Sequence, residues 1–340
     1  MMSNNFDAIV LKSKNNFELI KNISIPKKIF KKKVLVKIFY SGLCRSQVME
    51  IEQKRGLDKY LPHMMGHEAT GIVIKTGSAV KKIKLGDNVV LSWIDSFALK
   101  PQGIIFKHKK LKINAGPVTT FSTYAVVSEN KCIKIPRNFP KDLGVVFGCA
   151  ALTGMGMAIN EAKLKKNHKV LLIGLGGIGF FVYAGLLYKN IKNITVLDKN
   201  KKRNNFAKKL KIQKIYNNIQ KLKKQNIKYD YCFDATGSVS AIEQGFRLLK
   251  NKGELIFASH PANGEMIKID PFELIKGKKI RGSWGGNANP SVDVKKFYQI
   301  LKRLDLLQHL NSKIYLLKDL SKAIKDLKSG KVIRPILKCN

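Results

Sequence analysis

VLLIGLGGIGFFVYAGLLYKNIKNITVLD, residues 170–198, is the stretch whose reading decides the fold. Val170-Leu171-Leu172-Ile173 is a short run of aliphatic and β-branched residues, the composition of a buried parallel strand. It leads directly into Gly174-Leu175-Gly176-Gly177-Ile178-Gly179. In a dinucleotide site the glycines serve different ends. Gly174 makes the tight turn, Gly176 lets backbone approach a pyrophosphate, and Gly179 permits close helix–strand packing. A helix is expected over 177–189, so Gly177 and Ile178 open it. Its free N–H groups and positive dipole end suit phosphate. A second strand, 194–197, ends in Asp198, where a carboxylate can accept hydrogen bonds from a ribose 2′-OH. Strand, loop, helix, strand and terminal acid in register carry this reading; a glycine-rich turn alone would not.

Working outward, β/α alternation continues, with strands near 229–234, 254–258 and 280–283 and helices near 201–210 and 239–250. This pattern predicts an α/β fold with a doubly wound parallel sheet. Residues 1–150 differ. Short apolar or alternating runs at 34–38, 71–74, 88–91 and 122–127 are broken by Gly, Pro and Asn, which predicts a mostly β domain. Helices near 292–304 and 320–329 and a strand at 332–337 complete the chain. The expected organisation is 1–150, then a nucleotide-binding domain over 151–284, then a return to the first domain over 285–340.

The 340 residues suffice for two domains, and 44% hydrophobic content supplies their cores. No apolar run has the 18 or more residues of a membrane span, and the opening MMSNNFDAIV is not a signal sequence, so a cytoplasmic protein is expected. Five scattered cysteines argue against a disulfide framework. The net charge of +41 comes mainly from Lys spread over helices and turns expected to be exposed. Without aromatic interleaving or a DNA-binding motif, it reads as solvated surface rather than a nucleic-acid site.

Three residues of the first half are candidate metal ligands: Cys44 in Gly42-Leu43-Cys44-Arg45-Ser46, His67 in Gly66-His67-Glu68, and Cys149 after Gly148. Two thiolates and an imidazole suit Zn²⁺ and leave a fourth position open. Taken singly, each cysteine reads more readily as a small buried hydrophobe than as a ligand, and His67 as a satisfied loop histidine.

The stretch Gly66-His67-Glu68-Ala69-Thr70-Gly71, followed by Gly77, Val80 and Gly86-Asp87-Asn88-Val89, resembles the zinc signature of the medium-chain zinc-dependent alcohol dehydrogenases. The resemblance extends through Thr120-Phe121-Ser122-Thr123-Tyr124 to Gly330-Lys331-Val332-Ile333-Arg334, over nearly the whole chain. It implies a GroES-like catalytic domain beside a Rossmann domain, with the metal and nucleotide sites facing one another across a cleft. Cys44, His67 and Cys149 would bind one catalytic zinc, with Glu68 as a neighbouring or exchange ligand. Ser46 would pass on the substrate's proton, Arg45 and Arg334 would bind pyrophosphate, and Thr153 would lie beside the nicotinamide. Trp93 and Ser259 would border the substrate, Thr236 would lie along the cofactor, and Arg203 would touch the adenosine ribose. The family is dimeric or tetrameric, so a homodimer or homotetramer is expected.

The chain also departs from that pattern. Met49 stands where many members carry a relay histidine, and Gln47 replaces a common aspartate behind the zinc-bound histidine. Residues 95–116 contain no cysteine, so no structural zinc is expected. Asp198 favours NAD over NADP, although Lys199, Lys201 and Arg203 lie close in sequence. The reading is a zinc-dependent oxidoreductase passing hydride between an alcohol, aldehyde or ketone and NAD. A sugar or polyol dehydrogenase or another zinc-site enzyme such as a lyase on the same scaffold, and a redox-inactive nucleotide- or RNA-binding relative, are the alternatives.

Overall fold

The computed structural model describes residues 4–100, 102–310 and 312–339. The chain divides into two units, Met1–Cys149 with Asn289–Lys295 and Ser312–Asn340, and Ala150–Ala288 with Lys296–Asn311.

The first unit is mostly β. Its strands are β1 (Asn5–Ser13), β2 (Asn16–Ser24), β3 (Lys33–Gly42), β4 (His63–Met64), β5 (Ala69–Thr76), β6 (Asn88–Leu91), β7 (Ile104–His108), β8 (Leu111–Ala115), β9 (Tyr124–Ser128) and β10 (Cys132–Lys134). Helix α1 (Arg45–Ile51) follows β3 directly. One sheet has the order β2-β1-β4-β8-β7. The hairpins β1–β2 and β7–β8 were not anticipated from sequence, because their outward residues blur the alternation. They are held by inward ones: Phe6 and Phe106 meet edge to face with ring centroids 5.0 Å apart.

In the second unit, β11 (Lys169–Ile173), β12 (Asn193–Leu197), β13 (Lys214–Tyr216), β14 (Tyr229–Asp234), β15 (Leu249–Phe257) and β16 (Lys279–Gly282) form a six-stranded sheet of order β13-β12-β11-β14-β15-β16. Every pairing is parallel. This is the doubly wound sheet expected from residues 170–198, with one strand more than the five anticipated. β13 has only three residues, all exposed or half-buried, so it gives no hydrophobic signal. Helices α2 (Ala150–Gly156), α3 (Gly177–Tyr188), α4 (Lys202–Lys209), α5 (Ile219–Lys223), α6 (Val239–Arg247) and α7 (Pro271–Ile275) belong to this unit. α3 buries eight of its twelve residues, Gly179 to Leu186 without a break, so it is apolar all round rather than amphipathic.

The chain then runs through α8 (Pro290–Arg303), β17 (Ser312–Leu316), α9 (Leu320–Lys328) and β18 (Arg334–Lys338). β18 is inserted between β17 and β3 in the second sheet of the first unit, β10-β6-β5-β3-β18-β17, where β9 also pairs with β3. The sequence reading returns all of 285–340 to the first domain, whereas residues 296–311 cluster with the second unit. Phe297, Ile300 and Leu301 are buried, and Arg303 lies over the ring of Tyr188 at the end of α3.

Candidate functional site

Three separate segments of the first unit converge on one cluster. Cys44 caps the start of α1, His67 lies between β4 and β5, and Cys149 ends the turn after residues Leu143–Gly148. Their ligand atoms all lie within 4.8 Å of one another. The Cys149 thiol donates to Cys44, so Cys44 loses its proton far more readily than an ordinary thiol, and the nearby Arg334 guanidinium adds to this. Cys149 is pushed the other way by that same bond and by burial. His67 Nε2 is buried and has no hydrogen-bond partner. An orphaned imidazole nitrogen beside two buried thiols, one of which ionises readily, is costly for a protein alone and is the donor set of a tetrahedral zinc site. The residues fit the metal.

Behind them, Gln47 is 2% exposed. Its Oε1 accepts the Cys44 N–H at 3.1 Å, and its Nε2 meets His67 Nδ1. A neutral amide thereby orients the imidazole without the charge an aspartate would lend it. Ser46 Oγ is buried with no partner, while Arg45, one residue earlier, is exposed.

Glu68 and Arg334, assigned separately from the sequence to the metal and to the cofactor, are ion-paired to each other. Glu68 is fully buried and Arg334 only 3% exposed. Glu68 Oε2 and Arg334 Nε remain without partners. Burial raises the Glu68 carboxyl, while Glu68 and the two thiols raise the guanidinium well above its ordinary value. The backbone makes room for the carboxylate. A Cβ on Gly42 would run into the Glu68 carboxyl, and one on Gly148 would lie 2.6 Å from Glu68 Cβ. The Glu68 carbonyl accepts from Ser41 Oγ at 2.8 Å and from the Gly42 N–H at 3.2 Å, which ties it to the end of β3.

Trp93 follows β6 and is half-buried; its carbonyl accepts from Lys131 Nζ. The cysteine-free lobe nearby is organised by Asn130, whose amide donates to Asp95 at 2.7 Å and to the carbonyls of Phe97 and Leu99. Cys132, Cys232 and Cys339 are free and buried, and burial pushes each thiol up, Cys339 to about 12.

The second unit carries the glycine loop between β11 and α3. Gly174 has φ +89°, and a Cβ there would lie 2.6 Å from Thr236. At Gly179 a Cβ would collide with the Gly174 carbonyl. Gly176 differs: its φ is −85° and a Cβ would meet nothing within 4 Å. Nothing inside the chain requires glycine there. A side chain would fill the space in front of the α3 N–H groups of Gly177 and Ile178, where a pyrophosphate would approach.

Asp198 holds this loop as well as ending β12. Its Oδ2 accepts the Leu175 N–H and its Oδ1 the Asn200 N–H, both at 2.8 Å. Arg203, 8% exposed, donates to the Leu175 carbonyl at 2.8 Å. The two side chains thus clamp one residue of the loop from both ends, a role for Arg203 that its sequence position did not reveal. Thr236 donates to Asp234 at 2.7 Å. Thr153 is buried in α2, Ser259 is half-buried after β15, and His260 is exposed.

Known proteins match this architecture. Residues 31–137 match the alcohol dehydrogenase GroES-like domain, and residues 177–305 match the zinc-binding dehydrogenase family, together more than two thirds of the chain. The chain belongs to the medium-chain zinc-dependent alcohol dehydrogenase family. Among its relatives in this family, an S-(hydroxymethyl)glutathione dehydrogenase of Komagataella pastoris is 27% identical over 346 residues, covering 89% of this chain and 90% of its own. An alcohol dehydrogenase class-P of Arabidopsis thaliana is 26% identical, with 90% of each chain covered. The crystal structure of benzyl alcohol dehydrogenase from Acinetobacter calcoaceticus shares the fold, with a TM-score of 0.87 at 23% identity over 99% of this chain and 100% of that one. This family member is therefore a zinc-dependent oxidoreductase by descent, and its own residues supply the metal-ligand cluster and the glycine loop.

Proposed function

We propose that the protein oxidises a primary or secondary alcohol, or reduces the corresponding aldehyde or ketone, with NAD and one zinc per chain. The observation that carries this reading is His67 Nε2, buried and unpartnered beside two thiols, in a chain that also has a glycine loop with an unfilled cradle at Gly176. Cys44, His67 and Cys149 would hold the metal. Bound zinc supplies a Lewis acid for the substrate oxygen, and the nicotinamide exchanges hydride with the carbon. Ser46 would accept the alcohol's proton. Glu68 would hold Arg334 beside the thiolates, where its positive charge offsets theirs, and Arg45 would remain available for pyrophosphate. Gly174, Gly176, Gly177, Ile178 and Gly179 would seat the pyrophosphate, with Asp198 and Thr236 beside the nucleotide. The Asp198 carboxylate supports NAD over NADP by repelling a 2′-phosphate.

The lobe at 95–116 has no cysteine and is cross-linked by Asn130, which supports a single metal per chain. Self-association is supported by the sheet edge at β16, which leaves Trp284 82% exposed and lies near exposed Phe272, Leu274 and Ile275. Among the described residues no helix is long and apolar enough to cross a membrane. The free cysteines support a reducing, cytoplasmic setting.

The test is metal analysis of purified protein together with NAD and NADP reduction over a panel of alcohols. One zinc per chain and NAD-linked turnover are expected. Metal-free protein from a chelator-free preparation, or zinc protein inert with every alcohol and aldehyde, would overturn the proposal.

A further inference from the structure

Outside the metal cluster, the first unit buries further polar side chains. His63 closes on its neighbours, with Nε2 2.7 Å from Asp58 Oδ2 and 3.7 Å from Glu50 Oε1. Glu129-Asn130-Lys131, the turn between β9 and β10, reaches outward instead. All three residues are 5% exposed or less, and a buried charge or amide needs partners of its own. Glu129 Oε1 accepts the N–H groups of Lys81 and Lys82, and Lys82 Nζ lies 4.0 Å from the centre of the Phe97 ring.

The other two residues bind a single segment, the chain that leaves β6. The Lys131 carbonyl accepts the Ser92 N–H at 3.0 Å. Lys131 Nζ donates to the Trp93 carbonyl and pairs with Asp95 at 2.7 Å. The Asn130 carbonyl accepts the Ser96 N–H at 2.9 Å and Ser96 Oγ at 2.8 Å. The Asn130 amide adds Asp95 and the carbonyls of Phe97 and Leu99. Residues 92, 93, 95, 96 and 97 are thus each tied to Asn130 or Lys131, and the Ile94 N–H donates to Ser92 Oγ at 3.0 Å. The same segment abuts the metal cluster. Ser92 Oγ donates to the Gly148 carbonyl at 2.8 Å, one residue before Cys149, and a Cβ on Gly148 would collide with the Leu91 carbonyl. Trp93 therefore leaves the strand beside the turn that presents a metal ligand, with a buried ammonium on its own carbonyl.

We infer that Asn130 and Lys131 are positioning residues that fix Trp93 beside the metal cluster and so set the size of alcohol the site accepts. The inference rests on the proposed alcohol oxidation, in which Trp93 borders the substrate. A fully satisfied buried polar network holds one arrangement, and a half-satisfied one does not. Without the ammonium, the Trp93 carbonyl loses its donor and the segment its central tie. Asp95 does not compete for this role: its side chain is 46% exposed and can be hydrated. A wall that is no longer fixed admits a larger alcohol and grips a smaller one less well. The effect belongs to substrate fit, so it falls on KM and on selectivity rather than on the metal.

The test compares zinc-loaded wild type, Lys131→Met and Asp95→Asn in turnover of ethanol and benzyl alcohol with NAD. In Lys131→Met the ratio of kcat/KM for benzyl alcohol to that for ethanol is expected to rise about tenfold, mainly through KM, with the zinc retained. Asp95→Asn, altered at the hydrated end of the network, is expected to shift the ratio the same way by less. A second readout needs no turnover. In a Trp284→Phe background Trp93 is the remaining tryptophan, and Lys131→Met is expected to raise the quenching of its emission by acrylamide and to lower its anisotropy. A wild-type ratio and wild-type emission in Lys131→Met, even with a lowered melting temperature, would overturn the inference, since a merely structural role moves only the last. Loss of zinc in that variant would also overturn it. If Lys131→Met does not fold, a wild-type ratio in Asp95→Asn overturns it. Inert wild-type protein would overturn the alcohol-oxidation reading and the selectivity with it, while the emission of Trp93 still decides the anchor.

Discussion

The glycine loop of the second unit and the metal cluster of the first are built in opposite ways. The loop is contiguous: residues 173–179 with Asp198 and Arg203, all within one β–α–β–α segment and held through backbone atoms. The cluster draws its side chains from positions 44, 67, 68, 149 and 334, and its charged groups pair across those separations. A local site tolerates change at any residue that only shapes space. A dispersed one fails when a single charge is removed, because the others are left buried without compensation.

The largest effect should come from the cluster. Cys149→Ser is expected to lose the metal and, with it, on the order of 10³-fold or more in turnover, read by metal analysis and kinetics. Retained zinc and activity would break the contrast at its root. Arg334→Leu should come next. It leaves Glu68 buried and unpaired, and a loss of about 3–5 kcal/mol is expected in chemical unfolding of the first unit. A loss under about 1 kcal/mol would show that the pair is not what keeps Glu68 in place.

Asp234 sharpens the comparison from the other unit. It is fully buried, accepts from Thr236 Oγ1 and from the N–H groups of Thr236 and Gly237, and burial raises its carboxyl to about 6. A raised carboxyl stabilises the fold below its ordinary value, and that stabilisation is lost as pH rises through about 6. Asp234→Asn should therefore gain on the wild type between about pH 4 and 6, by up to about 3 kcal/mol, and hold a constant lead above pH 7. A difference that does not vary with pH would mean that the three donors fully satisfy the carboxylate.

The smallest effects distinguish two glycines three residues apart. Gly179→Ala should cost about 1–3 kcal/mol of stability by overpacking against the Gly174 carbonyl. Gly176→Ala should leave the melting temperature unchanged and weaken cofactor binding by roughly tenfold, about 1.4 kcal/mol. Equal melting losses in both would remove the case that Gly176 is shaped by a ligand.

This difference in construction also explains what the sequence could reveal. The loop was readable because its strand, glycines, helix and terminal acid are neighbours along the chain. The parallel sheet followed from it, short of β13, whose three residues bury nothing fully. Cys44, His67 and Cys149 had no local signature tying them together and were joined only through resemblance. The ion pair of Glu68 and Arg334, 266 residues apart, left no trace in composition or spacing. Nor did the Asp198–Arg203 clamp on Leu175, since both residues already had a reading at the cofactor. His63 follows a similar pattern: it is four residues before His67, but only the fold brings Glu50 and Asp58 to its ring.

The position of β18 has a consequence for biosynthesis. This strand lies inside the sheet against β3 and carries Arg334 to Glu68. Residues 5–149 emerge from the ribosome first, but their sheet lacks an inner strand and their buried carboxylate lacks its cation until some 190 further residues have been made. The six-stranded sheet spans 169–282 without such a gap and can close earlier, although it is encoded later. The order in which the two sheets can close thus inverts the order in which they are made. Until then a nascent chain holds its two thiols and imidazole in an unfinished unit.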